Sequence, residues 1–404
     1  MAVVALLLLS PEKDAAQDIA RLDPSLRFAP EGLGWFVAHV PVSPWVAGAA
    51  RQIFLGSAGC ALAGLFTRSA LVVTGISAFY LLALCQLTGQ VLHDMHLLWF
   101  VALLAASPSG DGLSVDAWLS GRRRRAPRAE YNIPLAFARL LLGAVYFFPG
   151  FWKLRTSGLA WITSDNLRNQ MYWKWAQWGG WTPPVRVDLH PTLVSLGAAA
   201  VVAFELLFVV LVLFPRARRP AALGGFVFHQ LSELLLHIPF VSLWGSYVCL
   251  LGPSRSGARP RRRRAALARV VGAALLAGAT IQGVRGQTQA FPFACYPTFQ
   301  HVLGPEMPDL RLVALGPDGR ETPLPGPLRS QSEWGMAWQI AGLWGSPASF
   351  EALSAFAAAD ARRLNAPPDT LRLRVLRAWI SVEPGHLGDP PLRSEVLGEV
   401  PFAR

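Results

Sequence analysis

Long apolar runs alternate with short polar connections along the first two thirds of the chain. A helix that crosses a bilayer needs about 20 mostly apolar residues. Runs of near that length lie at residues 45–66, 69–90, 91–107, 134–152, 192–214, 221–239 and 266–284. This pattern predicts an all-α polytopic bundle of membrane helices.

Two shorter apolar stretches add to the expected number of spans. The stretch 240–252 completes a helical hairpin with the run before it. Residues 2–9 lack the basic flank and the small-residue cleavage site of a signal peptide, and we interpret them as the end of a first span. With both, the prediction is about eight spans.

The sequence after residue 285 is of a different kind, polar and rich in Pro and Gly. Its segment FEALSAFAAADARRL predicts a helix, and the period-2 run LRLRVLRAWISVEP predicts a strand. We therefore expect a transmembrane domain over residues 1–285 and a small extracytoplasmic α+β domain over residues 286–404. The connection 153–191 carries five tryptophans and is predicted to lie at the membrane interface.

Composition supports the membrane assignment. Of the 404 residues 52% are apolar and 15% are charged, whereas soluble domains carry about 25% charged residues. The net charge of +12 is not spread as in a nucleic-acid-binding surface. It lies partly in short arginine blocks between apolar runs, at 122–125, 216–219 and 261–264.

These arginine blocks predict the orientation. If the loop 11–44 is outside, strict alternation puts every block in the cytoplasm, as the positive-inside rule requires. The protein is then a multi-pass cell-membrane protein with the lipid bilayer as its partner, and its C-terminal domain is extracytoplasmic. Nucleic acid is not an expected partner.

The four cysteines, Cys60, Cys85, Cys249 and Cys295, form no CxxC pair and have no zinc-like spacing. We expect neither a metal site nor a disulfide framework.

A lysine and a histidine pair mark the predicted outer ends of two spans. Lys153 is either an anchor that reaches the lipid headgroups or a base, because an apolar pocket disfavours the charged form of a lysine. His93 and His96, three residues apart, share one face if they are helical. They either cap the helix or act in a site, but a zinc ion needs at least three protein ligands.

Two acidic residues lie inside apolar runs. His229 and Glu233 are one turn apart, and Glu205 stands alone in AFELLFVVLVLF. Such groups form interhelical hydrogen bonds or take part in function, because their burial in a membrane costs free energy.

Three segments resemble motifs of the horizontally transferred transmembrane (HTTM) domain, the family of the vitamin K-dependent γ-glutamyl carboxylases. HDMHLLWFVALLAASPSGDGLSVDAWL is similar to NHxYLxxL…WSxDxxL, with His93 and Asp116 at the family spacing. FFPGFWKLRTSGLAW is similar to FxxGxxKLxxxW, with Gly150 and Lys153. FHQLSELLLHIPFVSLWGSYVCL is similar to FHxxxxxxxGxFxxVML, with His229. The resemblance covers about residues 1–285.

The resemblance implies a quinol-dependent mechanism. A lysine deprotonates reduced vitamin K or menaquinol, O2 then yields an alkoxide base, and this base takes a proton from a glutamate side chain to which CO2 adds. Lys153 matches that lysine, and His93 and His229 match the supporting histidines. We expect Trp152, His96 and Glu233 to contact the cofactor, and a peptide or protein to be a possible substrate.

Departures from the carboxylase pattern limit this expectation. Trp152 stands where the carboxylase has a second lysine, Arg155 replaces an acidic residue, and the C-terminal domain is far shorter. Quinol epoxidation without carboxylation is therefore favoured over carboxylation of glutamate. The alternative is a non-enzymatic HTTM protein that acts as a receptor, immunity or export component. A transporter is disfavoured, because the sequence has no inverted repeat.

Overall fold

The structure is a computed structural model, and it describes residues 1–28, 36, 39–89, 93–121, 129–252, 262–288, 290–293, 298–343 and 348–403. Up to residue 288 the regular elements of this part of the chain are helical. The α-helices are α1 Ala2–Leu9, α2 Glu12–Ile19, α3 Pro44–Ala63, α4 Thr67–Gln86, α5 Met95–Ala105, α6 Val115–Leu119, α7 Asn132–Ser157, α8 Ala160–Thr163, α9 Asn166–Gln177, α10 Pro191–Leu211, α11 Arg218–Leu236, α12 Val241–Gly245, α13 Val248–Leu251 and α14 Arg262–Arg285. Short 3-10 turns lie at Pro24–Leu26, Ser109–Asp111, Ala129–Tyr131 and Val187–Leu189.

Five of the described helices are long and apolar enough to cross a membrane: α3, α4, α7, α10 and the part of α14 from Ala266 onward. The other predicted spans are shorter or more polar. Helix α5 has 11 residues, and the stretch 240–252 forms the two short helices α12 and α13 instead of one arm of a hairpin. The polytopic helical bundle is confirmed, and the described residues support five spans where the sequence predicted about eight.

The arginine blocks are only partly visible. Residues 122–125 and Arg261 lie outside the described residues, as do the side chains of 262–264. Arg218 begins α11, where its guanidinium donates to the carbonyl of Val212 at 2.9 Å.

The turn between α3 and α4 depends on a motif residue. Gly64 ends α3 with φ 70°, a conformation that favours glycine. The Asp116 carboxylate then accepts hydrogen bonds from the backbone N–H groups of Phe66 and Thr67 at 2.8 and 2.7 Å. The carboxylate thereby satisfies two of the backbone N–H donors that have no partner within the first turn of a helix. Asp116 is thus a helix cap.

Helix α14 packs closely along α7. Aromatic side chains of α7 lie directly over glycines in or just after α14, so that a Cβ atom there would clash: Phe137 over Gly272, Phe148 over Gly283 and, one residue beyond the helix, Trp152 over Gly286. Small residues allow membrane helices to approach in this way. This contact fixes the face that α7 turns toward the rest of the bundle.

The tryptophan-rich connection 153–191 folds partly against the protein. It contains the end of α7 followed by α8 and α9. Trp161 and Trp175 are each 1% exposed, and the Trp175 indole donates to the Leu235 carbonyl at 2.7 Å. These two tryptophans are therefore packing residues of the bundle, whereas Trp178 remains 46% exposed.

The C-terminal region contains a four-stranded antiparallel sheet with the order β2-β1-β3-β4. Its strands are β1 Glu306–Leu315, β2 Glu321–Pro323, β3 Arg372–Ser381 and β4 Arg393–Pro401, and its helices are α15 Gln331–Ile340 and α16 Phe350–Arg363. The predicted strand and helix correspond to β3 and α16. The small α+β fold predicted for this region is thereby confirmed.

One apolar core joins this sheet to α15 and α16, and it includes Leu312, Val375, Ala337 and Phe356. A second cluster joins the sheet to α9, through Ala176, Met307 and Ile380. The C-terminal region thus packs on the bundle at the end where α7 stops.

Candidate active site

The described residues line a partly open cavity of about 110 Å³ inside the bundle, beside the C-terminal half of α7. Its wall is mostly apolar by surface and also carries polar side chains, which is the usual character of a ligand pocket. The polar members are His93, Tyr146, Lys153, Gln170, Glu205, His229, Ser232 and Thr298. The three residues predicted to be catalytic, Lys153, His93 and His229, therefore line one common space.

The centre of the cavity wall is a buried ion pair between α7 and α10. The Lys153 ammonium donates to both carboxylate oxygens of Glu205, at 2.7 and 2.8 Å. The side chains are 3% and 9% exposed. Gly150 makes the contact possible, because a Cβ atom there would lie 2.8 Å from the Cβ of Glu205. The glycine and the lysine of FxxGxxK thus serve the same helix contact.

A tryptophan holds the lysine from another direction. The Lys153 ammonium lies 5.3 Å from the centroid of the Trp161 ring, within the range of a cation–π interaction. The Trp161 indole in turn donates to the Phe299 carbonyl at 2.7 Å. Lys153 is therefore fixed between a carboxylate and an aromatic face, and it is not a headgroup anchor in this structure.

A second polar group in the wall joins α7, α11 and the segment between α12 and α13. The Tyr146 hydroxyl lies 2.5 Å from the His229 Nε2 atom and 2.5 Å from the Tyr247 hydroxyl. Gly225, one turn before His229, leaves space for Tyr247, since a Cβ atom there would lie 2.2 Å from the Tyr247 oxygen. These contacts fix the ring orientation of His229.

His93 reaches the cavity from the connection before α5, not from a helix face shared with His96. Its ring packs edge-on against Phe240, with centroids 4.9 Å apart. Burial lowers the pKa of His93 to about 4, although the nearby Asp94 carboxylate opposes this shift. The imidazole is therefore neutral near pH 7, and it can accept a proton or hold a hydrogen bond.

The three predicted cofactor contacts lie outside the wall of this cavity. The Trp152 indole donates to the Gly283 carbonyl at 2.7 Å, which anchors α7 to α14. His96 contacts the Ser242 carbonyl at 3.1 Å and the carbonyl of His93 at 2.9 Å.

Glu233 also lies away from the cavity. It lies 3.8 Å from His237, and both side chains are at least 40% exposed. The sequence suggested a buried pair of His229 and Glu233, and this was wrong: the partner of His229 is Tyr146. One helical turn separates the two residues, but only His229 turns toward the bundle interior.

Several members of the site were not recognised in the sequence. Glu205 was singled out as a buried charge, but its partner was not identified, and Tyr146, Tyr247 and Gln170 were not considered. One signal was available in the sequence: Gly150 lies about one helical turn before Lys153, and Gly225 one turn before His229, which indicates close helix contacts at both candidates. Among the residues that the structure describes, no cluster of three or more His, Cys, Asp or Glu side chains suits a metal ion; Cys295 lies outside them.

Comparison with known proteins gives one match. The family model of the HTTM domain matches residues 17–252, more than half of the chain. No curated protein and no solved structure matches. The matched range contains the whole polar wall of the cavity except Thr298.

Proposed function

The chain belongs to the HTTM domain family. We propose that it is a membrane enzyme that deprotonates a hydroquinone in the cavity, and that the resulting hydroquinone anion then reacts with O2. The observation that carries this proposal is the buried Lys153–Glu205 pair, which shares one cavity with His93 and His229. Reduced vitamin K or menaquinol is the type of hydroquinone that the carboxylase resemblance implies.

The ion pair acts as the base as a unit. Before the reaction it consists of an ammonium and a carboxylate, and Glu205 is its basic member. When the pair takes one proton from the hydroquinone, it becomes an ammonium and a carboxylic acid, and its net charge rises by one. This charge balances the hydroquinone anion, so that no uncompensated charge is created in a site of low dielectric constant.

The remaining steps conserve atoms and electrons. The hydroquinone anion reacts with O2, which supplies both oxygen atoms: one becomes the epoxide oxygen of the quinone, and the other leaves as water with the two hydroxyl protons. The hydroquinone is oxidised and O2 is reduced. His229, which is fixed by Tyr146, and the neutral His93 line the same cavity, and in this proposal they donate to or accept from the ring oxygens. This reaction needs neither CO2 nor a peptide.

The test is an epoxidation assay on the full chain in nanodiscs. Reduced menaquinone and a reduced benzoquinone are supplied with O2, and the epoxide is identified by mass spectrometry. We expect Lys153→Ala to abolish the product and Glu205→Gln to reduce the rate about 100-fold or more, the usual share of a positioned base. Glu233→Gln is the matched control, because Glu233 lies outside the cavity wall.

Equal epoxide formation by Lys153→Ala and the unmodified protein would refute the role of the pair. If no hydroquinone is epoxidised and Lys153→Ala leaves the cellular function intact, the non-enzymatic alternative, a receptor, immunity or export component, replaces this proposal.

A further inference from the structure

Gln170 is a buried amide in the wall of the cavity. It lies on α9 and is 4% exposed. Unlike the ion pair and the two histidines of the same wall, it carries no charge and does not take up a proton near neutral pH. Polar groups of this kind in a mostly apolar pocket orient a ligand through hydrogen bonds. The role of Gln170 therefore depends on which of its two polar atoms meets the cavity.

The amide nitrogen of Gln170 is turned toward the protein. It donates to the backbone carbonyl of His301 at 3.2 Å and to the side-chain oxygen of Asn166 at 3.4 Å. The Asn166 oxygen is identified by a backbone donor, because it accepts the N–H of Leu303 at 2.9 Å. Both atoms that face the nitrogen are thus acceptors, and an amide turned the other way would bring its oxygen against them. The orientation of the Gln170 amide is therefore fixed.

The amide oxygen is the atom that remains for a ligand. Within the part of the chain that the structure describes, the Gln170 Oε1 atom accepts no hydrogen bond. It is also not one of the unpaired buried side-chain atoms that are shut off from open space. Because the residue is almost wholly buried and lines the cavity, the open space that this oxygen meets is the cavity. An acceptor in such a wall is satisfied by a ligand that brings a donor.

The contact that orients Gln170 comes from the segment 298–304, which precedes β1 and lies beyond the range matched by the HTTM model. Two neighbouring side chains of α9 hold the same segment. Asn169 donates to the Leu303 carbonyl at 2.7 Å, and Trp173 donates to the Gly304 carbonyl at 2.9 Å. The C-terminal part of the chain thus sets the direction of a polar group inside the site.

An acceptor of this kind distinguishes the two redox forms of a quinone. A hydroquinone carries two O–H donors, whereas the corresponding quinone carries two carbonyl oxygens and no donor. In the proposed reaction the Lys153–Glu205 pair takes the proton of one hydroxyl group, and the other hydroxyl group needs an acceptor. An amide oxygen accepts a hydrogen bond without removing the proton. A quinone oxygen at the same place would face another acceptor.

We infer that Gln170 binds the second hydroxyl group of the hydroquinone through its Oε1 atom and thereby selects the reduced form over the quinone. This inference rests on the proposed function for its ligand class. With a quinone in the site, the Gln170 oxygen stays unpaired in a mostly apolar wall. An unpaired group of this kind accounts for a preference of about tenfold.

Binding without O2 tests this inference, because turnover is then excluded. Durohydroquinone and duroquinone are suitable probes, since they have the same ring substituents and differ only in the two hydroxyl hydrogens. Dissociation constants are measured by anaerobic equilibrium dialysis with the full chain in nanodiscs, with dithionite present for the reduced probe. Empty nanodiscs correct for partition into lipid. The measured quantity is the affinity for the reduced probe relative to the oxidised probe.

We expect the unmodified protein to bind durohydroquinone about tenfold more tightly than duroquinone. Gln170→Met, which has a similar volume and a much weaker acceptor, should reduce this preference to about twofold or less; Gln170→Leu takes its place if the methionine variant does not fold. Asn169→Leu is the matched control. It also loses a hydrogen bond from α9 to the segment 298–304, but Asn169 does not line the cavity, so the preference should remain.

Equal binding of the two probes by the unmodified protein overturns the inference, and this outcome needs no variant. An unchanged preference in the folded Gln170 variant, or an equal loss in Asn169→Leu, overturns it as well. These outcomes leave the proposed function standing, because the hydroquinone still binds. Absence of binding of both probes overturns the inference together with the ligand class of the proposed function. Epoxidation plays no part in this readout, so a failure of the Lys153–Glu205 chemistry is detected separately.

Discussion

Breaking the Lys153–Glu205 pair should destabilise the protein strongly, and removing both partners should not. Both side chains are at least 91% buried, and the ammonium makes two short contacts with the carboxylate. Lys153→Met leaves a carboxylate without its counter-charge, and Glu205→Met leaves an ammonium in the same state. Loss of one member of such a pair costs about 3–5 kcal/mol.

The double variant Lys153→Met, Glu205→Met measures how strongly the two side chains depend on each other. Two methionines fill a similar volume without charge, and replacement of a whole buried ion pair by apolar residues is often neutral or stabilising. If the single losses were additive, the double variant would lose about 6–10 kcal/mol. We expect it to lose less than about 2 kcal/mol, which gives a coupling energy of at least about 4 kcal/mol.

The assay is reversible unfolding of the purified chain in mixed detergent micelles, with the free energy of unfolding extrapolated to zero denaturant. Leu207→Met provides a control substitution at an exposed apolar position on the same helix as Glu205. Single variants that each lose less than about 1 kcal/mol, or a double variant equal to the sum of the singles, would show that the two side chains do not share a buried ion pair.

Two further predictions concern a close contact at Gly150 and the protonation of Glu12. Gly150→Ala places a Cβ atom 2.8 Å from the Cβ of Glu205, and we expect it to lower the free energy of unfolding by about 1–3 kcal/mol and to reduce epoxidation. Gly59→Ala is the control, because nothing lies within 4 Å of a Cβ atom at that position, and it should leave stability unchanged. An equal loss of stability in both variants would contradict the close approach of α7 and α10 at Gly150. Burial, and then the Asp94 carboxylate, raise the pKa of Glu12 from 4.5 to about 7. The folded state therefore binds this proton more tightly than the unfolded state, so stability should be highest below about pH 4.5 and fall as pH rises toward 7; thermal unfolding across this range should show a weaker pH dependence in Glu12→Gln, and identical profiles would refute the shift.

The helical bundle was predictable because long apolar runs leave few alternatives to membrane helices. The number of spans does not follow from apolar runs alone, and α5 shows why. Eight of its 11 residues are buried in the protein, and hydropathy alone does not distinguish a helix covered by protein from one covered by lipid. Helix α11 carries arginines and Glu233 within an otherwise apolar run, so its sequence alone also left the assignment open.

The site was predictable in part. Lys153, His93 and His229 were found because ionisable groups in apolar runs are few and a family motif surrounds them. The Lys153–Glu205 contact joins residues 52 positions apart, and a single sequence contains no information on which helices are neighbours. Trp152 was assigned to the cofactor because it adjoins Lys153, but adjacent residues of a helix point in directions about 100° apart. It therefore faces α14.

The charge neutrality of the buried pair bears on how the protein responds to membrane voltage. A lone ammonium that moves across the bilayer field gains or loses about 2.3 kcal/mol per 100 mV. The Lys153–Glu205 pair carries no net charge, and in the proposed reaction the proton and the hydroquinone anion it leaves behind stay together. The chemistry is thus electroneutral, and its rate should be the same in energised and de-energised membranes.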